Sequence, residues 1–184
     1  MNYKEKLKAV RNPKCSKKLL NEILSEDKDT ELTHLAAMNP NCPSEILAEV
    51  LKRGNDDSVS EVAVRNPNTP PEALAEVLRR GNNDSISEFA AENLNCPPEI
   101  LVEVLRRGKD DWVSESAAAN KNCPPEILAE VLSRGKDDTV SKYAANNPNC
   151  SLEAHIQWRI SLDKRIVIPE GYEVRLVKLS KQTD

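Results

Sequence analysis

The cysteines of this 184-residue chain recur at a fixed interval. Successive cysteines are 27, 54, 27 and 27 residues apart, and Thr69 stands at the one position that the series omits. The five are Cys15, Cys42, Cys96, Cys123 and Cys150. A short marker, Asn-Pro-Asn-Cys-Pro or a close variant of it, surrounds each of the six positions, with no insertion between them. A fixed period of this length indicates a repeat architecture, in which each unit buries its apolar surface against its neighbours.

Each marker is followed by a segment that has the start and stop signals of a helix. Thr69-Pro70-Pro71-Glu72 predicts a capping box, with Thr69 as the N-cap residue and proline at the first helical position. Cysteine takes the N-cap position in the other units. A single glycine predicts the end of the helix at Gly54, Gly81, Gly108 and Gly135. Apolar residues between these signals form one stripe that must be buried, as in Ile127, Leu128, Val131 and Leu132.

A second, shorter helical segment follows in each unit. Acidic and hydroxyl residues such as Asp57-Ser58 and Asp84-Ser85 supply the N-cap oxygens. The segment that begins near Val59 ends near Arg65, which is two turns at most, so either a short α-helix or a 3₁₀-helix fits. We therefore expect an all-α chain of 27-residue units, each with a long and a short helix, stacked into a continuous core.

The stretch from Val62 to Leu74, with Asn66-Pro67-Asn68-Thr69-Pro70 at its centre, resembles the variant leucine-rich repeat (LRV), a bacterial repeat. The likeness covers about residues 9–153. It implies a right-handed α-solenoid in which an α-helix and a 3₁₀-helix alternate, and an interaction scaffold with no shared enzymatic activity. The repeat is longer here, which would allow a true α-helix in the short segment and bring the architecture closer to HEAT-type helix pairs. Some members carry a cysteine-clustered iron–sulfur segment before the repeats, and residues 1–14 contain no cysteine.

Three regions follow from the pattern. Residues 1–38 are expected to form a degenerate N-terminal capping repeat, 39–153 the regular repeats and 154–184 a C-terminal cap. Within the last region, 165–168 and 172–178 are β-rich runs around a turn at 169–171, which predicts a hairpin. A lone hairpin is marginally stable in water, so it either packs on the last repeat, pairs with a second chain in self-association, or adds to a partner's sheet.

Comparison of the repeats with one another suggests a binding surface. Three positions of the short helix vary freely, and they lie at i, i+4 and i+7, on one face about 60° wide. Positions that hardly vary lie on the other side. A constant buried face with a variable outer face is how a solenoid presents a binding surface. The predicted partner-binding residues on the variable face are Arg65, Phe89, Glu92, Trp112, Tyr143 and Asn146. The alternative is that the aromatic residues among them are packing residues between adjacent short helices.

Catalytic and metal chemistry find little support in the residue pattern. Neighbouring repeats place equivalent cysteines about 10 Å apart, which is too far for disulfides, and no Cys-x-x-Cys pair predicts a metal site. The two histidines, His34 and His155, stand in opposite terminal repeats. We expect a protein that is not an enzyme and that has no cofactor and no metal.

Charge distinguishes between the remaining classes of partner. The basic residues Lys52-Arg53, Arg79-Arg80, Arg106-Arg107 and Arg134 recur at the ends of the long helices and could follow a phosphate backbone. However, residues 39–153 carry a net charge of −8, the whole chain carries −4, and a glutamate stands four residues before each basic pair. We expect a cytoplasmic scaffold that binds a protein or peptide, with no membrane partner. A nucleic-acid-associated repeat using the basic ladder and the basic ends is the alternative, and an array designed without a natural partner would be equally regular.

Overall fold

The computed structural model describes residues 1–26 and 30–164, and every helix or strand within these ranges is an α-helix. The twelve helices of these ranges are α1 (Tyr3–Val10), α2 (Lys17–Leu24), α3 (Glu31–Met38), α4 (Ser44–Lys52), α5 (Ser58–Arg65), α6 (Pro71–Arg79), α7 (Ser85–Glu92), α8 (Pro98–Arg106), α9 (Trp112–Ala119), α10 (Pro125–Ser133), α11 (Thr139–Asn146) and α12 (Leu152–Ser161). The all-α prediction is confirmed for the described residues. The short segment of each unit is a true α-helix of eight residues, almost as long as the nine-residue helix before it.

The helices stack in two layers. Each even-numbered helix packs against the odd-numbered helix that follows it, and the two together form one unit. Odd-numbered helices also contact the next odd-numbered helix along the chain, and even-numbered helices contact the next even-numbered one. Because every unit touches mainly its neighbours in sequence, the arrangement is consistent with an α-solenoid. The predicted hairpin at 165–178 lies outside the described residues.

Aspartate begins each odd-numbered helix of the regular units, as predicted. The Asp111 carboxylate accepts a hydrogen bond from the Ser114 backbone N–H at 2.9 Å, and Asp57, Asp84 and Asp138 do the same in their units. Glycine follows each nine-residue even-numbered helix with a positive φ, for example +68° at Gly108, which an L-residue with a side chain adopts only under strain.

The capping box predicted at Thr69 is wrong. Pro70 is the N-cap residue of α6, it has no side-chain cap hydrogen bond, and Pro71 occupies the first helical position. Thr69 instead points inward, is fully buried, and donates from its hydroxyl to the carbonyl of Ala63 near the end of α5. The cysteines at this position of the marker are not N-cap residues either. The helix therefore begins one residue later than predicted, at Pro71, because Thr69 is packed in the core.

The two layers bury different side chains. Even-numbered helices bury leucine, isoleucine and valine, and the predicted stripe of Ile127, Leu128, Val131 and Leu132 is at most 2% exposed. Odd-numbered helices of the regular units bury a valine or isoleucine together with small residues, such as Ser114, Ala117 and Ala118 in α9. Small side chains let two helix backbones approach closely, so the odd-numbered helices at the centre of the array pack more closely on one another than the even-numbered ones do.

The first asparagine of each marker joins one unit to the previous one. Asn120 Nδ2 donates to the carbonyls of Ala91 and Asn93, at 2.6 and 3.2 Å, and Asn120 Oδ1 accepts from the Asn122 backbone N–H at 2.8 Å. The same pair of inter-unit hydrogen bonds recurs in Asn39, Asn66, Asn93 and Asn147. The first asparagine of the marker therefore hydrogen-bonds to carbonyls at the C-terminal end of the odd-numbered helix of the previous unit.

The two ends of the array depart from the regular pattern. α1 stacks on α3 and buries Val10, so it continues the odd-numbered layer. In α12, Trp158 is buried and its indole N–H donates to the Lys136 carbonyl at 2.7 Å. Among the described residues, none of the helices has both the length and the apolarity needed to cross a membrane.

Candidate interaction surface

Most of the variable positions lie on the solvent-exposed side of the odd-numbered helices. Arg65, Glu92 and Asn146 are the last residues of α5, α7 and α11, and all three are exposed. The residues that hardly vary, such as Val113, Ser114 and Ala117, are buried on the opposite side of the same helices. Together the exposed variable positions form a surface along the odd-numbered layer, which we call the odd-helix face.

The three aromatic residues of this face have different environments. Trp112 is 61% exposed and Tyr143 is 44% exposed. Phe89 is half-buried, packs against the hydrophobic core, and is covered by Arg65, whose guanidinium carbon lies 3.3 Å from the ring centroid. The packing interpretation thus fits Phe89, while Trp112 and Tyr143 remain available for contact with a partner. Within the described residues, no two of these rings contact each other.

The middle variable position is not uniformly exposed. Ser116 is buried and Val62 is half-buried, whereas Tyr143 at the same position of α11 is exposed. The face is therefore continuous at the C-terminal ends of the helices, at the positions of Arg65, Glu92 and Asn146, and interrupted one turn earlier.

A cavity opens on the odd-helix face beside Phe89. It has a volume of about 520 Å³ and is lined by Arg65, Pro67, Phe89, Glu92 and Leu94, together with Asn93 and Asn95. A smaller depression of about 170 Å³ continues past Leu94 and is lined by Glu92, Ser116 and Ala119, with Asn120 and Lys121. The structure therefore brings three of the predicted residues, Arg65, Phe89 and Glu92, to one concave site, and leaves Trp112, Tyr143 and Asn146 outside its lining.

Leu94 is the residue of this site that the sequence prediction missed. It is 62% exposed and contributes to both the cavity and the depression. Its signal was present in the marker, because Asn93-Leu94-Asn95 has leucine where four other markers have Pro13, Pro40, Pro67 and Pro148. An exposed leucine in a polar loop is typical of a contact surface.

The basic ladder is occupied by contacts within the array. Arg107 Nη2 donates to the Leu78 carbonyl, and Arg53, Arg80 and Arg134 make the same bond to Leu24, Leu51 and Leu105, each at 2.9 Å. Each acceptor is a leucine carbonyl at the end of the even-numbered helix of the previous unit. In the regular units this leucine stands three residues before the glycine that follows the helix. The second arginine of each pair thus caps a neighbouring helix, where its charge also interacts favourably with the helix dipole.

The first basic residue of the pair is more exposed and pairs with the next unit. Arg79 contacts Glu103 and Arg106 contacts Glu130, both at 3.3 Å. The second arginine contacts the glutamate four residues before it in the same helix, as predicted, for example Arg80 with Glu76 at 3.5 Å. These ion pairs are exposed and individually weak. They neutralise much of the charge that a phosphate backbone would need.

Four of the five cysteines are buried, Cys150 is half-buried, and all five are free thiols. Cys42, Cys96 and Cys123 are at most 1% exposed, and burial raises the pKa of their thiols to about 12 from the ordinary value of 9.0. Such thiols are poor nucleophiles and poor metal ligands, because both roles need the thiolate. In the part of the chain that the structure describes, no group of three or more histidine, cysteine or acidic side chains is arranged to hold a metal ion.

No family model matches the chain, and neither does any curated protein or solved structure with which it was compared.

Proposed function

We propose that the chain is a non-catalytic scaffold of the variant leucine-rich repeat type, folded as a right-handed α-solenoid, that binds a protein or peptide through its odd-helix face. The observation that carries the proposal is the position of the exposed apolar surface. Trp112 and Tyr143 are exposed on α9 and α11, and the cavity beside Phe89 opens on the odd-helix face with the exposed Leu94 in its lining. Exposed aromatic side chains next to a concave apolar site are typical of protein interfaces.

The spacing of the helices supports a concave odd-helix face. The odd-numbered helices at the centre of the array pack more closely on one another than the even-numbered helices do. A groove of about 430 Å³ separates α4 from α6 on the even-numbered layer, where Ala48 and Ala73 face it. A stack of units curves toward its more closely spaced layer, so the odd-helix face is the inner surface, which is the surface that solenoids use for binding.

The experiment is a peptide selection with the full chain as bait. A displayed library of random peptides is selected on the wild-type chain, and the enriched peptides are synthesised and measured by fluorescence anisotropy. Trp112→Ala together with Tyr143→Ala is expected to weaken binding at least ~10-fold, because each exposed aromatic side chain contributes on the order of 1 kcal/mol to an interface. Thermal stability should stay within a few degrees of the wild type, because both side chains are exposed.

The matched control is Ile160→Ala. Ile160 is 52% exposed and belongs to α12 of the other layer, so the variant removes an equally exposed apolar side chain elsewhere. Peptides that bind the aromatic double variant as tightly as the wild type would contradict the proposal. A large loss of thermal stability in the double variant would show instead that Trp112 and Tyr143 are packing residues.

A further inference from the structure

Three glutamates follow one another along the odd-helix face. Glu61, Glu88 and Glu115 occupy the same position in α5, α7 and α9, and each is half-buried. We call them the glutamate row. Each stands four residues before a residue at the C-terminal end of the same helix, so Glu88 precedes Glu92 and Glu115 precedes Ala119 on the same side of the helix. Glu92 and Ala119 line the cavity and the depression, so Glu88 and Glu115 stand one helical turn before the lining of that concave site.

The glutamate row lacks the arginine partners that three glutamates at one repeated position of the other layer have. Glu76, Glu103 and Glu130 on the even-numbered helices all contact arginines. Among the described residues, none of the three glutamates of the row makes an ion pair. The charged groups that act on Glu115 are Asp110, Asp111 and Glu88, which are all acidic. In α11 the same position is Lys142, which pairs with Asp137 at 3.6 Å, so the unpaired row ends at α9.

The environment of Glu115 is consistent with negative charge that has no counterpart in the chain. Burial, followed by the charges of Asp110, Glu88 and Asp111, raises the pKa of the Glu115 carboxyl above its ordinary value of 4.5. Two cations of the chain lie at this site: Arg65 lines the cavity and is held over the Phe89 ring, and Lys121 lines the depression. Since neither makes an ion pair with the glutamate row among the described residues, a cation brought by a partner would find unpaired carboxylates one helical turn from the cavity lining.

We propose that the odd-helix face binds a basic amphipathic segment of a partner protein. An apolar side chain of the segment enters the cavity beside Phe89 and Leu94, and lysine or arginine side chains of the same segment contact Glu88, Glu115 and Asp110. The proposal rests on the proposed function and adds the chemical class of the partner. Apolar area supplies affinity, while the charges select the partner and orient it. A nucleic acid would face the same carboxylates with its phosphates and be repelled.

The test uses three fluorescein-labelled peptides of about 14 residues, the length of four helical turns. The basic probe carries leucines at helical spacing on one face and lysines elsewhere. The acidic probe replaces every lysine with glutamate, and the third probe replaces every leucine of the basic probe with serine. Anisotropy with the full-length chain is expected to give at least ~10-fold tighter binding of the basic probe than of either other probe at about 150 mM salt.

Two double variants separate the glutamate row from the general negative charge of the chain. Glu88→Gln with Glu115→Gln is expected to weaken binding of the basic probe about 10-fold, because two favourable ion pairs are lost without a change of side-chain size. Glu99→Gln with Glu126→Gln makes the same change of net charge at exposed positions of α8 and α10, where we expect less than ~2-fold. Leu94→Ser should also weaken the basic probe.

Three results would overturn the inference. They are equal weakening by the two double variants, equal binding of the basic probe and its serine version, and tighter binding of the acidic probe or of a single-stranded oligonucleotide than of the basic probe. Failure of the proposed function looks different, since library-selected peptides would then bind the Trp112 and Tyr143 double variant normally. Peptide binding that depends on Trp112 and Tyr143 but not on peptide charge would overturn the inference alone.

Discussion

The asparagines of the marker are the residues that most directly hold one repeat on the next. In the markers from Asn39 onward, the first asparagine donates its two amide hydrogens to carbonyls of the previous unit, and its side-chain oxygen accepts from a backbone N–H of its own loop, as in Asn120. Each second asparagine adds another bond to the previous unit, as in Asn122 Nδ2 to the Leu94 carbonyl at 2.6 Å. No other side chain supplies two donors and an acceptor in so short a span, which explains why asparagine stays constant while the residue between the two asparagines changes.

Asn120→Ala is expected to destabilise the chain by about 2–3 kcal/mol, because it removes the two inter-unit hydrogen bonds to the Ala91 and Asn93 carbonyls and the bond from the Asn122 backbone N–H, all made by a buried side chain. Urea denaturation monitored by circular dichroism measures the free energy of unfolding. The matched control is Asn83→Ala, an exposed asparagine in the turn before α7, for which less than ~0.5 kcal/mol is expected. Equal effects of the two substitutions would mean that the inter-unit bonds add nothing.

The cysteines and Thr69 share a role that the capping interpretation missed. All except Cys15 and Cys150 are at most 1% exposed, and each follows the loop closed by the marker asparagine. A buried thiol has a consequence at alkaline pH, because the unfolded chain releases its thiol protons near the ordinary pKa of 9.0, while the folded chain retains them up to about 12. Ionisation in the unfolded state alone favours unfolding as the pH rises through this window.

We therefore expect the free energy of unfolding to fall as the pH rises from about 8 to about 10, and the fall to be smaller when Cys42, Cys96 and Cys123 are all replaced by threonine. Thr69 shows that threonine fits the position, since its hydroxyl finds the Ala63 carbonyl. Urea denaturation at a series of pH values measures both slopes. Parallel slopes for the wild type and the triple variant would contradict the burial of the thiols.

At the scale of the helix, most boundaries were predictable from local signals. Asp57, Asp84 and their equivalents begin the odd-numbered helices, and glycines such as Gly81 and Gly108 follow the even-numbered ones, because capping depends on a few adjacent residues. The N-cap at Thr69 was predicted wrongly because Thr-Pro-Pro-Glu fits a capping box and either proline fits the first helical position, so only the burial of Thr69 against α5 shows that the helix begins at Pro71.

The candidate site was less predictable than the helices. The i, i+4, i+7 pattern correctly selected the exposed Trp112, Tyr143, Arg65, Glu92 and Asn146. It could not find the cavity, since a cavity depends on how far one helix stands from the next and on a loop residue, Leu94, that belongs to no helix. Nor could it reveal that Arg65 covers Phe89, because those residues are in different units.

The two members of each basic pair provide a prediction at this scale. Arg107→Ala is expected to cost about 1–2 kcal/mol, because it removes the inter-unit hydrogen bond to the Leu78 carbonyl at the end of α6, which then keeps the bond from the Gly81 backbone N–H. Arg106→Ala makes the same change of charge next to it and removes only an exposed ion pair with Glu130, so at most ~0.5 kcal/mol is expected. Thermal denaturation of both variants compares them directly.

A reversed order of these two effects would show that the ion pairs between units matter more than the carbonyl bonds. Arg107→Lys is informative as well. A lysine keeps the charge near the helix end but lacks the guanidinium fork, so we expect a stability between those of the wild type and Arg107→Ala.

At the scale of the whole molecule, each unit is joined to the one before it by helix packing, by asparagine hydrogen bonds and by arginine hydrogen bonds. The Asn93 amide reaches Val64, the Arg80 guanidinium reaches Leu51, and Asn68 reaches Pro40. Each of these contacts spans 28 or 29 residues, which is one period plus one or two. Stability should then depend on the number of units, and removal of a whole unit should leave the remaining contacts in register.

Deletion of residues 67–93 tests this register. The deletion removes α6 and α7 and joins Asn66 to Leu94, which occupy consecutive positions of the period, so α5 is followed by α8 with every inter-unit bond still available in kind. We expect a folded chain with the same helical content per residue and a lower melting temperature, because one interface has been lost from a nearest-neighbour sum. Deletion of residues 67–79 is the control: it removes α6 alone and places an odd-numbered helix where the stack needs an even-numbered one, so we expect loss of cooperative unfolding. Circular dichroism and size-exclusion chromatography distinguish the two outcomes. If the one-unit deletion unfolds or aggregates as the control does, the array folds as a single cooperative body whose stability does not divide into units.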